Sequence, residues 1–268
     1  MEIELNNICY RDKLVDFSYK FDNSEVISII GSSGSGKSLV GYVIMGLLKY
    51  DRGNILVDGS SNYDRYKFMK DVGYVFQNPR DHFFCDTVYE EIAFGLKQFK
   101  FKENKIDSQV RDSLKMVLLD DSYLSRKIDS LSSGEMERVA IASSLVLNPK
   151  VLILDEPTIY LDGKVRKELV KLVKMLKNRY HKTVIVMSND MDFVCSVSDK
   201  YILMDKGSIV KNGNINDIMN DTDIMESCGL EIPLPNQFVK MVRDRKGIEL
   251  KYTCDIDLLI KEVVDNGE

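Results

Sequence analysis

A chain of 268 residues is long enough to form one large domain, or one domain with an appendage, around a core of its own. Its 44% hydrophobic and 29% charged residues are typical of a globular protein, and the net charge of −5 argues against binding to nucleic acid. Five scattered cysteines, no basic and apolar leader, and no apolar stretch of about 18 residues predict a reduced, cytosolic chain that does not cross a membrane.

Short strand-like segments occupy residues 2–29, and Tyr10 stands at the end of an early one. Two interpretations of Tyr10 remain open at this point. Its ring can stack against the flat face of an adenine base, or it can be an ordinary half-buried residue of the strand.

A phosphate-binding motif follows the apolar strand predicted at residues 26–30. It fits the pattern Gly-x4-Gly-Lys-[Ser/Thr] at every required position and leads into a helix over residues 39–48. Its residues are Gly31, Ser32, Ser33, Gly34, Ser35, Gly36, Lys37 and Ser38. Small residues allow backbone N–H groups to turn toward a polyanion at a helix N-terminus. We therefore expect Lys37 to contact the phosphates of a nucleoside triphosphate and Ser38 to bind Mg²⁺.

The next segments predict two more strands and then a change of pattern. Residues 55–57 predict a strand followed by a hairpin turn, and residues 72–76 predict a buried strand that ends at Gln77. Helical periodicity then indicates a helical insertion over about residues 79–149. Phe83 and Phe84 in this insertion are either core residues or an apolar contact for a partner.

Two acidic residues, Asp155 and Glu156, follow the predicted buried strand at 151–154. They stand at the carboxyl end of this strand, where ligands bind in open α/β sheets. Asp155 can hold the Mg²⁺ shell, and Glu156 can orient an attacking water or take its proton. A solvated loop at the sheet edge is the alternative. The helix that precedes this strand begins near Gly134, and its early acidic residues suit the helix dipole.

The rest of the chain continues the alternation of strands and helices. A helix is predicted over residues 163–178, a buried strand over 183–187, and a hairpin over 201–210. This alternation favours an α/β domain with a mainly parallel sheet. The pattern changes near residue 214, and the prolines at 233 and 235 predict an extended piece between short helices. We therefore divide the chain into a domain at residues 1–213 and a C-terminal helical region at 214–268.

Together these motifs resemble those of the ATP-binding subunits of ABC transporters, over essentially all of residues 1–212. The phosphate-binding motif matches their Walker A loop, and Gln77 matches the Q-loop glutamine. A Leu-Ser-Ser-Gly-Glu segment resembles their Leu-Ser-Gly-Gly-Gln signature, which separates the family from other P-loop proteins. The signature residues are Leu131, Ser132, Ser133, Gly134 and Glu135. The remaining matches are the Walker B aspartate Asp155, the catalytic glutamate Glu156 and the D-loop residue Asp162.

A narrower resemblance, carried by residues 75–96 and 229–260, is to the energy-coupling-factor type of ABC ATPase. It implies that two ATPase subunits drive a multi-span transmembrane coupling protein. That protein works with a small membrane protein that captures a vitamin or a metal ion such as cobalt. The C-terminal region at 214–268 then serves dimerisation, and the chain lies peripherally on the cytoplasmic face of the cell membrane, without nucleic acid.

The resemblance also implies roles for individual residues, with ATP and Mg²⁺ as cofactors. Two subunits close face to face, so that the signature of one contacts ATP held by the other. The residues implied in catalysis are Lys37, Gln77, Glu156 and Asn189. ATP is bound by Tyr10, the whole phosphate-binding motif and Gln77. The implied Mg²⁺ ligands are Ser38, Gln77 and Asp155.

Three positions depart from the family pattern. Asn189 stands where the family has a switch histidine, and it cannot become cationic. Ser133 replaces a glycine of the signature, and Glu135 replaces its glutamine. We therefore expect asymmetric sites formed with a second, better-matched ATPase. The alternatives are another type of ABC transporter, a soluble ABC protein of DNA repair or the ribosome, and a regulatory subunit that barely hydrolyses ATP.

Overall fold

The computed structural model describes residues 1–248, 250 and 256–265. The strands are β1 Ile3–Tyr10, β2 Leu14–Phe21, β3 Val26–Ile30, β4 Arg52–Val57, β5 Val72–Val75, β6 Val151–Asp155, β7 Thr183–Ser188, β8 Lys200–Asp205 and β9 Ser208–Asn214. The helices are α1 Lys37–Met45, α2 Arg65–Asp71, α3 Val88–Gln98, α4 Glu103–Met116, α5 Ser133–Leu145, α6 Gly163–Asn178, α7 Met191–Val197, α8 Ile215–Met219, α9 Thr222–Ser227, α10 Leu234–Lys246 and α11 Ile256–Asp265. In these described ranges, no helix combines the length and apolar character that a membrane span requires.

A six-stranded sheet forms the centre of the fold, in the order β5-β6-β7-β3-β8-β9. All neighbouring strands are parallel except β8 and β9, which form an antiparallel hairpin. Every residue of β3, β5, β6 and β7 is buried, which explains their continuous apolar sequences. The predicted mainly parallel sheet is confirmed. Because β6, β7 and β3 are parallel neighbours, their carboxyl ends meet at one edge of the sheet.

A second sheet, in the order β2-β1-β4, is antiparallel. It packs on the central sheet and α1 through buried side chains such as Ile3, Leu5 and Phe17. The predicted hairpin turn after β4 is present, because Val57 and Ser60 exchange backbone hydrogen bonds of 2.9 and 3.1 Å across Asp58 and Gly59, but the antiparallel pairing ends at this one bridge. The next element is α2, which begins because the side chain of Asp64 accepts hydrogen bonds from two backbone N–H groups of its first turn.

The insertion between β5 and β6 is helical, as its periodicity predicts. Helices α3, α4 and α5 share one apolar core with α6 and with one face of the central sheet. Thr87 and Glu90 form a reciprocal capping box at the start of α3, which fixes the point where the helical segment begins. The insertion is therefore packed directly against the sheet that carries the predicted site.

The segment after β9 packs against the central sheet through α8 and α9, whose Ile218 and Met225 are fully buried beside Tyr201 of β8. The predicted extended piece around the two prolines is wrong, because α10 begins at Leu234. A proline in the first turn of a helix is tolerated, since its missing N–H would have no partner there. Between α9 and α10, Gly229 lies against Ser32, and a Cβ on this glycine would be 3.3 Å from the Cβ of Ser32.

Candidate functional site

The phosphate-binding loop joins the carboxyl end of β3 to α1, and its backbone requires glycine at both ends. Gly31 has a φ of +155°, and a Cβ there would lie 2.4 Å from the carbonyl oxygen of Met204. Gly36, directly before α1, has a φ of +102°, and its Cβ would be 3.1 Å from the carbonyl oxygen of Lys13. A side chain at either position would clash or be strained. The glycines of the motif are thus explained by the fold of the loop itself.

The Lys37 ammonium is buried inside this loop. Its Nζ donates hydrogen bonds to the carbonyl oxygens of Gly31 at 2.7 Å and Ser32 at 3.1 Å, and it lies 3.3 Å from Oε1 of Glu156. Two carbonyl dipoles and one carboxylate therefore hold a single cation at the carboxyl edge of the sheet.

Asp155 is fully buried at the end of β6, and both of its carboxylate oxygens accept hydrogen bonds. The hydroxyl of Ser38 donates to Oδ1 at 3.0 Å, and the hydroxyl of Tyr74 donates to Oδ2 at 2.9 Å. Burial raises the pKa of Asp155, and these two hydrogen bonds offset part of the rise. Sequence reasoning missed Tyr74. The available signal was a tyrosine in a buried strand, whose hydroxyl needs a partner.

The oxygen atoms of Ser38 and Asp155 fit a Mg²⁺ ion that enters with a nucleotide. Mg²⁺ prefers oxygen ligands and is usually held by one or two carboxylates together with substrate phosphates and water. Across the described part of the chain, no group of three or more His, Cys, Asp or Glu residues is arranged to hold a metal by itself. The donor set therefore suits a metal shared with phosphates.

Glu156 follows Asp155 in a left-handed conformation, with a φ of +48°. Its backbone N–H donates to the carbonyl of Met187 at 2.7 Å. Its side-chain Oε2 accepts hydrogen bonds from the Ser188 hydroxyl and the Asn189 backbone N–H, both at 3.2 Å. The end of β7 thus fixes the carboxylate beside Lys37, while the Asn189 side chain remains exposed.

A cavity of about 540 Å³ opens beside these groups, within the range of small-molecule sites in proteins. Of the predicted site residues, its wall contains Ser33, Gly34, Gly36, Lys37, Ser38, Gln77, Glu156 and Asn189. Sequence reasoning missed Asp12, Lys13, Leu39, Ile159, Lys206 and Gly207. The β8–β9 turn reaches the site because the N–H of Gly207 donates to the carbonyl of Ser35 at 2.9 Å.

Some predicted residues lie outside the wall of this cavity. Tyr10 is half-buried at the end of β1, with the Arg11 guanidinium 5.2 Å from its ring centre. Asp162 caps α6, where its carboxylate accepts from two backbone N–H groups. The signature residues stand at the start of α5. The adenine role of Tyr10 and the roles of Asp162 and the signature stay predictions.

Glu135, the acidic residue of the signature, has partners inside its own helical insertion. Ser132 caps α5 and forms a reciprocal capping box with Glu135, whose carboxylate also accepts a hydrogen bond from Tyr123 at 2.7 Å. The Tyr123 hydroxyl and the backbone N–H of Ser132 lower the pKa of Glu135. Ser132 and Ser133 are exposed. The signature thus presents a helix N-terminus outward, with its acidic side chain held back by hydrogen bonds.

Three kinds of similarity to known proteins accompany this geometry. The family described as "ABC transporter" matches residues 14–159. The energy-coupling factor transporter ATP-binding protein EcfA2 of Clostridium perfringens is 34% identical over 249 residues, which are 91% of this chain and 84% of the relative. The solved structure of cbiO1 from Clostridium perfringens, part of the ABC transporter complex cbiONQ, matches with a TM-score of 0.75 and 30% identity over 89% of this chain and 98% of that one. The dimeric ATP-binding cassette MJ0796, solved in a post-hydrolysis state bound to ADP and Pi, matches with a TM-score of 0.72 and 26% identity over 80% of this chain and 98% of that one.

Proposed function

The chain belongs to the ABC transporter family and, within it, to the energy-coupling factor transporter ATP-binding proteins, and from this premise we propose how its residues work. It binds and hydrolyses ATP to power an importer of the energy-coupling factor type, which takes up a vitamin or a transition-metal ion. One observation supports these roles above the others. At one edge of the sheet, beside a cavity of nucleotide size, the structure brings together Lys37, Ser38, Asp155 and Glu156.

Binding of ATP uses the phosphate loop. The loop N–H groups and the N-terminus of α1 favour negative charge, so the triphosphate lies along residues 31–38. Lys37 then contacts the β- and γ-phosphates in place of its present carbonyl partners. Mg²⁺ held by Ser38, Asp155 and Gln77 would neutralise charge on the phosphates.

Hydrolysis uses the carboxylate of Glu156. It accepts a proton from a water molecule as the water oxygen forms a bond to the γ-phosphorus. The bond between that phosphorus and the oxygen bridging to the β-phosphate breaks, which leaves ADP and inorganic phosphate. Ser188 and the Asn189 backbone support this role because they hold the carboxylate at the carboxyl edge of the sheet. Gln77, exposed at the cavity wall, contacts the γ-phosphate end of the site.

A second ATPase subunit completes the site. Support for this comes from the signature residues, which are absent from the wall of this chain's own cavity and partly exposed at the start of α5. They contact ATP held by the other subunit, and the C-terminal region at 214–268 contributes to dimerisation. A multi-span coupling protein and a small substrate-capturing protein complete the transporter at the cytoplasmic face of the membrane. The catalytic domain spans residues 1–213.

Two experiments test this function. Glu156→Gln keeps a side-chain oxygen that can accept the Ser188 hydrogen bond but cannot take a proton, so ATP hydrolysis should fall by about a hundredfold while ATP binding persists. Glu168→Gln, at a half-buried position of α6 outside the wall of the nucleotide cavity, is the matched control. In addition, a tagged chain recovered from detergent-solubilised native membranes should bring a second ATPase and a multi-span protein. Recovery with ribosomal or DNA-repair proteins instead would contradict the transporter function.

A weakly active regulatory subunit is the second candidate. Asn189 at the switch position and the pair Ser133 and Glu135 in the signature favour it. In that case, Glu156→Gln would leave the hydrolysis rate of the assembled pair nearly unchanged, because the partner's own catalytic residues would carry the activity.

A further inference from the structure

A second cavity, of about 210 Å³, lies between α5, the end of α4 and α6. Its walls are mainly apolar and include Met116, Ile141, Leu169, Leu172 and Met175. These residues come from both the helical insertion and α6. The cavity shares no lining residue with the nucleotide site.

One acidic side chain, Glu137 of α5, belongs to this apolar wall. It is 1% exposed, and its Oε1 has no hydrogen-bond partner among the described residues. Burial raises the pKa of Glu137 to about 8, so the carboxyl group is largely protonated at neutral pH. A buried oxygen without a partner is costly, and native proteins rarely keep one without a ligand, an ion or a water molecule to satisfy it.

Neighbouring charged groups do not satisfy Glu137, because each has other partners. The Arg138 guanidinium donates to the carbonyl oxygens of Gly134 at 3.4 Å and Leu118 at 3.3 Å. At the rim, Lys171 pairs with Glu168 at 3.0 Å. The interior therefore offers one uncharged carboxyl group in an apolar space, and the Lys171–Glu168 ion pair and the Arg138 guanidinium lie at its edge.

We propose that this cavity binds a small, uncharged, mainly apolar molecule whose single hydroxyl group hydrogen-bonds to Glu137. An apolar cavity of about 150 Å³ is sufficient to bind benzene, so the larger volume here suits a ring with a short substituent. The occupant bridges α5 and α6 and touches Leu161, next to the D-loop residue Asp162. This inference goes beyond the proposed function and does not depend on ATP hydrolysis.

The test uses p-cresol as the probe and toluene as the matched probe without a hydroxyl. The full chain is labelled with ¹³C at its methionine methyl groups, of which Met116 and Met175 line the cavity. Titration with p-cresol should give saturable shifts of these two signals, while the methyl signal of Met187, at the nucleotide edge, stays in place. The absence of saturable shifts would overturn the proposal and leave a cavity filled with solvent only.

Variants then test the chemistry of the site. Glu137→Leu should weaken p-cresol binding by about fivefold relative to toluene, because it removes one hydrogen bond. Glu103→Leu makes the same change on the exposed surface of α4, outside the cavity wall, and should leave this ratio unchanged. Val165→Phe should fill the cavity and abolish the binding of both p-cresol and toluene. If this variant unfolds, Met175→Phe replaces it. If Glu137→Leu and the unaltered chain showed the same ratio of p-cresol affinity to toluene affinity, the proposed role of Glu137 would be wrong.

Discussion

The Nζ of Lys37 lies 3.3 Å from Oε1 of Glu156, and both side chains are buried. The cation assigned to phosphate binding and the carboxylate assigned to catalysis thus neutralise each other. Each also has a second set of partners, which are loop carbonyls for Lys37 and the end of β7 for Glu156. When a triphosphate binds, Lys37 can pair with an anion of higher charge than Glu156. The Glu156 carboxylate then stays in position through its hydrogen bonds to Ser188 and the Asn189 backbone.

Lys37→Met should reduce ATP affinity by at least about tenfold and should also destabilise the fold. Removing one partner leaves Glu156 as a buried charge without its cation, which typically costs about 3 kcal/mol of unfolding free energy. Nucleotide titration and urea unfolding measure the two effects. Lys67→Met, on the exposed surface of α2, is the control and should change neither quantity. An unchanged unfolding free energy in Lys37→Met would contradict a stabilising ion pair between Lys37 and the Glu156 carboxylate.

Two helix glycines should respond in opposite directions to alanine. A Cβ on Gly41 of α1 would lie 2.7 Å from Cε2 of Tyr74, so Gly41→Ala must displace the ring whose hydroxyl donates to Asp155. A Cβ on Gly95 of α3 would lie 3.5 Å from Leu147, an ordinary contact. Gly95→Ala should therefore raise the unfolding free energy by about 0.5–1 kcal/mol through helix propensity, and Gly41→Ala should lower it. Thermal unfolding of both variants checks the signs, and a stabilised Gly41→Ala would refute the packing argument.

The stability that Glu135 contributes should depend on pH. Its folded-state pKa lies below the ordinary value, so this contribution is present above the unfolded pKa and disappears as the pH falls through the folded pKa. Glu135→Gln should lower the unfolding free energy by about 0.5 kcal/mol at pH 7, and the difference should vanish in acid. Urea unfolding across pH 3–7 gives the comparison. Glu103→Gln, an exposed change in the first turn of α4, is the control for the loss of a first-turn carboxylate.

Asn189→His should accelerate ATP hydrolysis at this chain's own site. The substitution keeps the backbone N–H that donates to Glu156 and adds a longer donor at the cavity wall. An additional transition-state interaction of about 1.4 kcal/mol corresponds to a tenfold rate increase. Steady-state hydrolysis by the subunit together with its partner ATPase is the measurement. Asn216→His, exposed on α8, is the control, and a rate as low as that of the unaltered chain would show that Asn189 does not limit hydrolysis.

The parts of the site that lie in continuous sequence could be predicted, and the parts assembled by the sheet could not. The phosphate loop and Asp155–Glu156 each follow one buried strand, so a local pattern identifies them. Tyr74 reaches Asp155 only because β5 pairs with β6, and Gly207 reaches the loop through a distant hairpin. No local pattern contains those contacts.

The burial of Glu137 also could not be predicted from the local sequence. In sequence it is an early acidic residue of a helix, which suits the helix dipole and suggests nothing unusual. The packing of α6 against α5 buries it, and this depends on residues far along the chain.

The start of α10 was also missed, because the proline at 235 suggests a break in the chain, although α10 begins just before it. Helix boundaries of this kind depend on which backbone N–H groups need a partner.

The contact between Gly229 and Ser32 makes the chain after residue 213 a neighbour of the phosphate loop. A truncated fragment that retained every residue of the nucleotide site would still lose Gly229, which packs against Ser32 of the loop. Such a fragment would be a poor substitute for the full chain in measurements of nucleotide affinity, because the loop would be free to relax toward solvent.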